Sequence, residues 1–443
     1  MHLPLGGVGG LKPIIMTTLK TLLIAVLCTF AANSQAQKYV GGDISLLPTN
    51  EKSNPTWLDK DGKNIADILP FCNTEGMNAM RVRLFVNPSD YTGSDKDANA
   101  CQDLEYVKAL GKRIKDAGFK LMLDFHYSDT WADPAKQWTP KAWEGLNDEQ
   151  LNTKIYDYTK DALQQMKAAG AEPDFIQTGN EISYGMLWGA YGASESALKK
   201  CYTSSSNANW TRFTTLLKNA GKACREVCPQ AKIILHTERA AQTGVLTNFY
   251  NRMKTANVDY DIIGLSYYPI WHKDIATLET ALNTLESNYP DKDIMIVEVG
   301  YAYSWYPGTY DYDYRSVYGA TEEGQQEFTK DLITMLNKHS KVTGLFWWWM
   351  EYNAYPWATT HMEGWWYAPL FNSNTGKAMP AFYEMKSFLG GQNGISAPTV
   401  SDDALSSNKN ALSNKWFNLN GQRIGKPAKS GVYVNEGKKV LIK

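Results

Sequence analysis

The chain has 443 residues, with 45 basic and 46 acidic side chains and a formal charge of −1. That length allows one large domain with an appendage, or two domains, and the balanced charge excludes a general nucleic-acid binder, which needs a basic surface. Fifteen Trp and 26 Tyr give an aromatic-rich chain, whose ring faces suit neutral cyclic ligands as well as core packing.

Residues 1–36 read as an export signal. Lys12 and Lys20 precede the apolar run Leu22 to Cys28, and Ser34-Gln35-Ala36 supplies a small-residue cleavage site after Ala36. Met16 is an alternative start. Cys28 is an alternative lipidation site, although Ala25-Val26-Leu27 before it matches the usual small-residue box poorly. Either route predicts a protein of the periplasm, the cell surface or the medium. No other apolar run approaches the roughly 20 residues of a membrane span. Five cysteines follow the signal: Cys72, Cys101, Cys201, Cys224 and Cys228. An odd number spells neither a closed disulfide framework nor a zinc ligand set, so buried thiols are expected.

From Tyr39 a repeating alternation begins. Strands are predicted at Val40–Ser45, Ala79–Phe85, Lys120–His126, Phe175–Asn180, Lys232–His236, Ile262–Tyr267, Asp293–Glu298 and Thr343–Trp347. Amphipathic stretches fill the gaps, among them one through Leu104, Val107, Leu110 and Ile114, and others at Leu278–Leu285 and Phe328–Leu336. Near-continuous apolar strands alternating with such helices imply a parallel sheet covered by helices. Eight units in about 350 residues fit a (β/α)8 TIM barrel with enlarged βα loops. A doubly wound open sheet is the alternative, but no Gly-rich nucleotide loop follows the first strand. The barrel is assigned residues 37–390. A Gly/Ser/Asn-rich linker follows at 391–414, then a short β-like tail at 415–443 that resembles the C-terminal sorting segments of exported bacterial enzymes.

Polar residues collect at the carboxyl ends of these strands: Asp124 and His126, Asn180 and Glu181, His236, Tyr267, Glu298 and Trp347. That end is the catalytic face of a (β/α)8 barrel. Breaking an acetal needs one acid to protonate the leaving oxygen and a second carboxylate to meet the developing positive charge. Retaining enzymes hold the pair ~5–5.5 Å apart and inverting ones ~6.5–9.5 Å apart. Glu181 after strand four and Glu298 on strand seven are the candidates. A lone strand-end Glu is more often salt-bridged to a loop cation; two in these contexts point to chemistry. Asn180 offers an amide to a substrate hydroxyl beside Glu181. Tyr267 is placed to donate to Glu298 and keep it ionised, so Glu181 is assigned acid/base and Glu298 nucleophile.

The run Asp124-Phe125-His126-Tyr127-Ser128-Asp129-Thr130-Trp131-Ala132-Asp133-Pro134 resembles the signature of the arabinogalactan endo-1,4-β-galactanases, glycoside hydrolase family 53. Gly179-Asn180-Glu181, the segment Gly264 to His272, Ile296-Val297-Glu298, and Arg81-Val82-Arg83 with Asn87-Pro88 are similar to that family as well. The likeness spans roughly residues 39–390. It implies a (β/α)8 barrel, retaining hydrolysis of β-1,4-galactan or arabinogalactan, and the two glutamate roles just given. The same fold and mechanism on a β-1,4-glucan or mannan is one alternative reading, and a non-catalytic surface glycan-binding protein is another.

Arg81 and Arg83 share a strand face, and Arg83, nearer the carboxyl end, is expected to hold the nucleophile. His126 and His236 are expected to bond sugar hydroxyls or orient the glutamates. Trp131, Trp271, Trp305, Trp347 and Trp348 are candidate stacking surfaces, with Trp347 chosen from the Trp347–Trp349 run. His236-Thr237-Glu238-Arg239 departs from the family's His-Leu-Asp-like pattern, which leaves contacts from strand five open. No cofactor is expected for the chemistry. Asp311 and Asp313 are weak calcium candidates, since two carboxylates fall short of the 6–8 oxygens that ion takes. The chain is expected to act as a monomer.

Overall fold

The computed structural model describes residue 1, residues 36–201, 206–304, 312–353, 355–356 and 368–390, and the backbone of four strands beyond 415. Residues 2–35 of the predicted signal, with Cys28, the whole linker, Trp305 and Asp311 lie outside the described residues.

Eight parallel strands close into a barrel in sequence order: β1 (Tyr39–Asp43), β2 (Ala79–Leu84), β3 (Lys120–Phe125), β4 (Phe175–Gln177), β5 (Lys232–Thr237), β6 (Ile262–Tyr267), β7 (Asp293–Val299) and β8 (Val342–Trp347). β8 pairs back onto β1, Val40 opposite Leu345, which disposes of the open-sheet alternative. The main helices are α1 (Ile68–Thr74), α2 (Leu104–Asp116), α3 (Asp148–Ala168), α4 (Asn207–Val227), α5 (Thr243–Thr255), α6 (Ile275–Asn288), α7 (Glu322–Leu336) and α8 (Pro380–Glu384). Local chemistry sets where they start. Asp67 and Asp103 accept from backbone N–H groups of the first turns of α1 and α2, and Asn147 with Gln150 forms a reciprocal capping box on α3. Capping by Asp67 starts α1 at Ile68.

Alternation along the strands divides the core in two. Ala79, Met122, Phe175, Ile234, Ile262, Met295, Val297 and Phe346 fill the barrel interior, while the intervening residues pack outward against the helices. Counting upward by two from the interior layer sets which side chains reach the carboxyl-end mouth: Arg81 and Arg83 on β2, Asp124 and His126 on β3, His236 and Glu238 on β5, Ser266 and Tyr268 on β6, Trp348 after β8. Gly264 belongs to the same inward set, where a Cβ would come within 2.8 Å of Ile234 Cγ2. β7 breaks the count. Leu265 pairs with Ile296 and Ser266 with Glu298, so one extra residue is inserted, a β-bulge that turns Glu298 inward directly after inward-facing Val297.

The second compact unit, Gln392–Lys443, holds a four-stranded sheet of β9 (Trp416–Phe417), β10 (Arg423–Ile424), β11 (Gly431–Asn435) and β12 (Lys438–Ile442), in the order β10-β9-β11-β12. Among the described residues no helix is long and apolar enough to cross a membrane. Cys72, Cys201, Cys224 and Cys228 are buried free thiols, and Cys101 is a partly buried one.

Candidate active site

Above the apolar interior lies a layer of buried charge built around Arg81. Its Nη1 is 2.9 Å from Asp43 Oδ2, its Nη2 is 2.8 Å from Asp124 Oδ2, and its Nε donates to Gln177 Oε1 at 2.8 Å. Nη2 also donates to Asn180 Oδ1 and lies 2.9 Å from Glu298 Oε1. Burial opposes ionisation of Asp124, but Arg81 and His126 outweigh it and hold that carboxyl below its usual range. A guanidinium can organise this many acceptors because its five donors are fixed in one plane.

Glu298 has a second donor, the hydroxyl of Tyr268 at 2.8 Å from Oε2. Burial, with the charges of Asp124 and Asp43, raises its pKa above the ordinary value, although Arg81 and Tyr268 pull the other way. Glu181 is treated differently. Its Oε1 accepts only from Ser266 Oγ, at 2.7 Å, and among the described residues no cation pairs with it. Burial, then the charges of Glu298 and Glu238, raise its pKa well above the ordinary value. Two carboxyl groups therefore face one cavity with proton affinities set by opposite surroundings.

The segment carrying Glu181 is not the strand end expected from sequence. β4 stops at Gln177, three residues before Asn180, and the chain turns with φ +119° at Gly179 and φ +48° at Glu181. A Cβ on Gly179 would meet Ile182 Cγ2 at 2.6 Å. Left-handed backbone at a non-glycine residue is unfavourable and is tolerated where surroundings over-determine it. Here His236 supplies part of that. The Oε1 of Gln177 already faces Arg81, so its Nε2 donates to His236 Nδ1 (3.0 Å), which also receives the backbone N–H of Glu181 (3.4 Å). Asn180 Oδ1 also lies 3.0 Å from Nδ1, and on the other side of the ring Nε2 lies 2.8 Å from Ser266 Oγ, which donates to Glu181. Burial pushes His236 well below its usual pKa, so this chain is neutral.

A cavity of ≈ 620 Å3 opens above both carboxyl groups. One wall is aromatic: Trp131, Trp348 and Trp349, with Trp348 and Trp349 stacked at 4.4 Å and the Arg83 guanidinium 4.7 Å from the Trp131 ring. The other wall is polar, with Glu238, Arg239 and Gln242 beside Tyr268 and Trp271. The Asp124–Pro134 run folds over the site so that Ala132 N donates to His126 Nδ1 and Ala132 O accepts from Asn180 Nδ2.

Several expectations are corrected. Tyr267 does not reach Glu298; it points outward and donates to Lys273 O, and Tyr268 takes the role, because inward-facing Ser266 puts residue 267 on the other face. Trp347 likewise faces the helical shell, fully buried, its Nε1 bonded to Ala368 O. Arg81 rather than Arg83 holds Glu298; Arg83 pairs with Asp43 at 2.7 Å and lines the cavity. His236 and Asp124 are buried beneath the site and orient other side chains, and Asn180 spends its amide on Arg81 and Ala132. His126, Trp131 and Trp271 do line the cavity. Asp313 is bound by Arg315 two residues on, which lowers its pKa to about 2. Sequence reasoning missed Asp43, Gln177, Ser266, Tyr268, Glu238 and Arg239; the two-residue period, once phased, points to most of them.

The sequence profile described as "Glycosyl hydrolase family 53" matches residues 39–385. An arabinogalactan endo-β-1,4-galactanase of Cellvibrio japonicus is 34% identical over 290 residues, 64% of this chain and 70% of that protein. One from Thermothelomyces thermophilus is 30% identical over 323 residues, 71% of this chain and 89% of that protein. Among solved structures, the Ignisphaera aggregans GH53 catalytic domain superposes with a TM-score of 0.66 at 31% identity, covering 79% of this chain and 95% of that one.

Proposed function

The chain belongs to glycosyl hydrolase family 53, and from that premise we propose that it is an endo-acting galactanase that cleaves β-1,4-galactosidic bonds in galactan or arabinogalactan with retention of configuration. In this reading Glu181 protonates the glycosidic oxygen while the Glu298 carboxylate attacks C1. The sugar is then held on Glu298 as an ester, and Glu181, now ionised, takes a proton from the water that releases it. Water is the only co-reactant the steps need, so no cofactor is required.

The observation that carries the assignment of roles is the contrast between the two carboxyl groups. A nucleophile must be ionised when substrate arrives, and Glu298 has a guanidinium and a phenol to favour that form. An acid must hold its proton near neutral pH, and Glu181 has burial and two neighbouring carboxylates to favour that one. Trp131, Trp271, Trp348 and Trp349 supply ring faces suited to the apolar faces of sugars. The predicted export signal fits a polymer substrate outside the cytoplasm.

Incubation of the purified protein with linear galactan, carboxymethylcellulose and mannan tests the substrate. Release of short oligosaccharides from galactan, first formed as the β-anomer by NMR, is the expected result. Release from glucan or mannan alone would transfer the mechanism to another polymer. Binding to galactan without cleavage would make the protein a glycan receptor.

A further inference from the structure

Glu238 stands at the point where the chain departs from its family's pattern after the fifth strand, and none of the steps above uses it. Its side chain is almost fully buried, 6% exposed, in the polar wall of the cavity. Among the described residues its side chain is contacted at Oε1: the hydroxyl of Ser183 donates to it, and Arg239 Nε lies 2.8 Å away. Oε2 is buried and has no hydrogen-bond partner among the described residues. Arg239 Nε also donates to Ser183 Oγ at 3.1 Å, so the three side chains form a closed triangle. Ser183 sits in the single 3-10 turn, Ile182–Tyr184, that starts immediately after Glu181.

We propose that Glu238 is a positioning residue for Glu181, acting in two ways: through Ser183 it clamps the turn that holds Glu181 in its left-handed conformation, and through its charge it keeps the acid protonated. The proposal rests on Glu181 being the acid/base group. A fixed negative charge beside a carboxyl disfavours ionisation of that carboxyl. Other groups face Glu181 too: Glu298 from β7, Asp133 from the loop after β3, neutral His236 from β5, and Ser266 and Tyr268 from β6. Glu298 must be ionised to attack, but its charge is shared with Arg81 and is consumed when the ester forms. Glu238 forms no bond to the sugar in either step, so its charge is not consumed. Arg239 offsets that charge from one side only, at Oε1. Burial raises the pKa of Glu238 itself, against Arg239 and Ser183, which lower it.

The test is kcat/KM on soluble galactan as a function of pH, for the full chain and for Glu181→Gln, Glu238→Gln, Glu238→Asp and Ser183→Ala, each checked for its melting temperature. Glu181→Gln is expected to lose at least about a hundredfold; full activity there would remove the acid/base assignment and the present proposal with it. With that loss established, Glu238→Gln, which keeps an oxygen for Ser183, is expected to move the alkaline limb down by about one pH unit, a fall of about tenfold above the limb. Ser183→Ala keeps the charge and loses the clamp, so kcat falls while the limb stays in place. Glu238→Asp restores the limb to its wild-type position. An alkaline limb unmoved in a folded Glu238→Gln would overturn the proposal. Should the glutamine variant not fold, a limb displaced downward in Glu238→Asp or in Ser183→Ala would overturn it instead.

Discussion

Glu298 and Glu181 line one cavity, but the regions around them are built on opposite electrostatic plans. Beneath Glu298 the barrel is saturated with paired charge: Arg81 touches Asp43, Asp124 and Glu298, and every contact is buried. Around Glu181 the partners are a serine hydroxyl, a neutral histidine behind it and a second carboxylate across the turn. The first region gives its carboxyl group a guanidinium and a phenol as donors; the second gives its carboxyl group one hydroxyl and, among the described residues, no cation. The bulge in β7 and the turn after β4 hand the two glutamates of one barrel mouth to these different neighbours.

The largest expected effect comes from erasing the contrast itself. Glu298→Gln removes the proposed nucleophile and is expected to lower turnover by at least about a thousandfold on every substrate. Glu181→Gln should be nearly as severe on galactan, about 10²–10⁴-fold, yet milder on an aryl galactoside whose leaving group needs no proton; equal losses on both substrates would show that the two regions do not divide the labour this way. Next comes Arg81→Met, which leaves Asp124 without its guanidinium in the interior and Asp43 with Arg83 alone. Removing one partner of a buried ion pair costs about 3–5 kcal/mol, measurable by urea denaturation.

Smaller effects sharpen the comparison. Tyr268→Phe removes one charge-assisted hydrogen bond from Glu298, worth about 1.5–3 kcal/mol, and should lower kcat/KM roughly tenfold to a hundredfold. Tyr267→Phe should leave kcat/KM where it is, since that hydroxyl serves Lys273 O. Reversal of this pair would show that the outward placement of residue 267 is wrong.

The smallest effect concerns Glu351, buried beside Asp43 under the charged region, with its pKa raised to about 8 by burial and then by Asp43. A folded-state value above the unfolded one means stability is fully present below the unfolded pKa, near 4.5, and is lost as pH rises toward 8. Glu351→Gln keeps an oxygen for Leu46 N–H and should flatten the fall in melting temperature between those two pH values. A slope equal to that of the wild type would exclude Glu351 as its source.

Much of this arrangement was legible in the linear chain, and the places where it was not are specific. Six of the eight predicted strands carried polar residues at their carboxyl ends, and that was enough to put Asp124, His126, Asn180, Glu181, His236 and Glu298 at one mouth. Tyr267 and Trp347 were given the wrong task for one shared reason. Alternation says which residues share a face but not which face is inside, and a one-residue error of phase exchanges core for cavity. At Arg83 the phase was right and the height was wrong, since depth along a barrel axis depends on strand stagger. Glu298 defies alternation altogether, because its inward turn depends on an extra residue in β7 that no local pattern marks.

What the sequence by itself determined, then, is the periodic alternation of buried strands and amphipathic helices, the cap residues that start the helices, and the chemical types available at the strand ends. These follow from short-range sterics and from the burial of apolar surface, both encoded within a few residues. Tertiary structure alone decided the phase of each strand, the bulge at Glu298, the left-handed turn at Glu181 and the company each carboxyl keeps. Arg81 reaches residues 38, 43 and 99 positions away, Glu298 lies further still along the chain, and proton affinity in a buried site is set by such neighbours, which only closure of the barrel assembles.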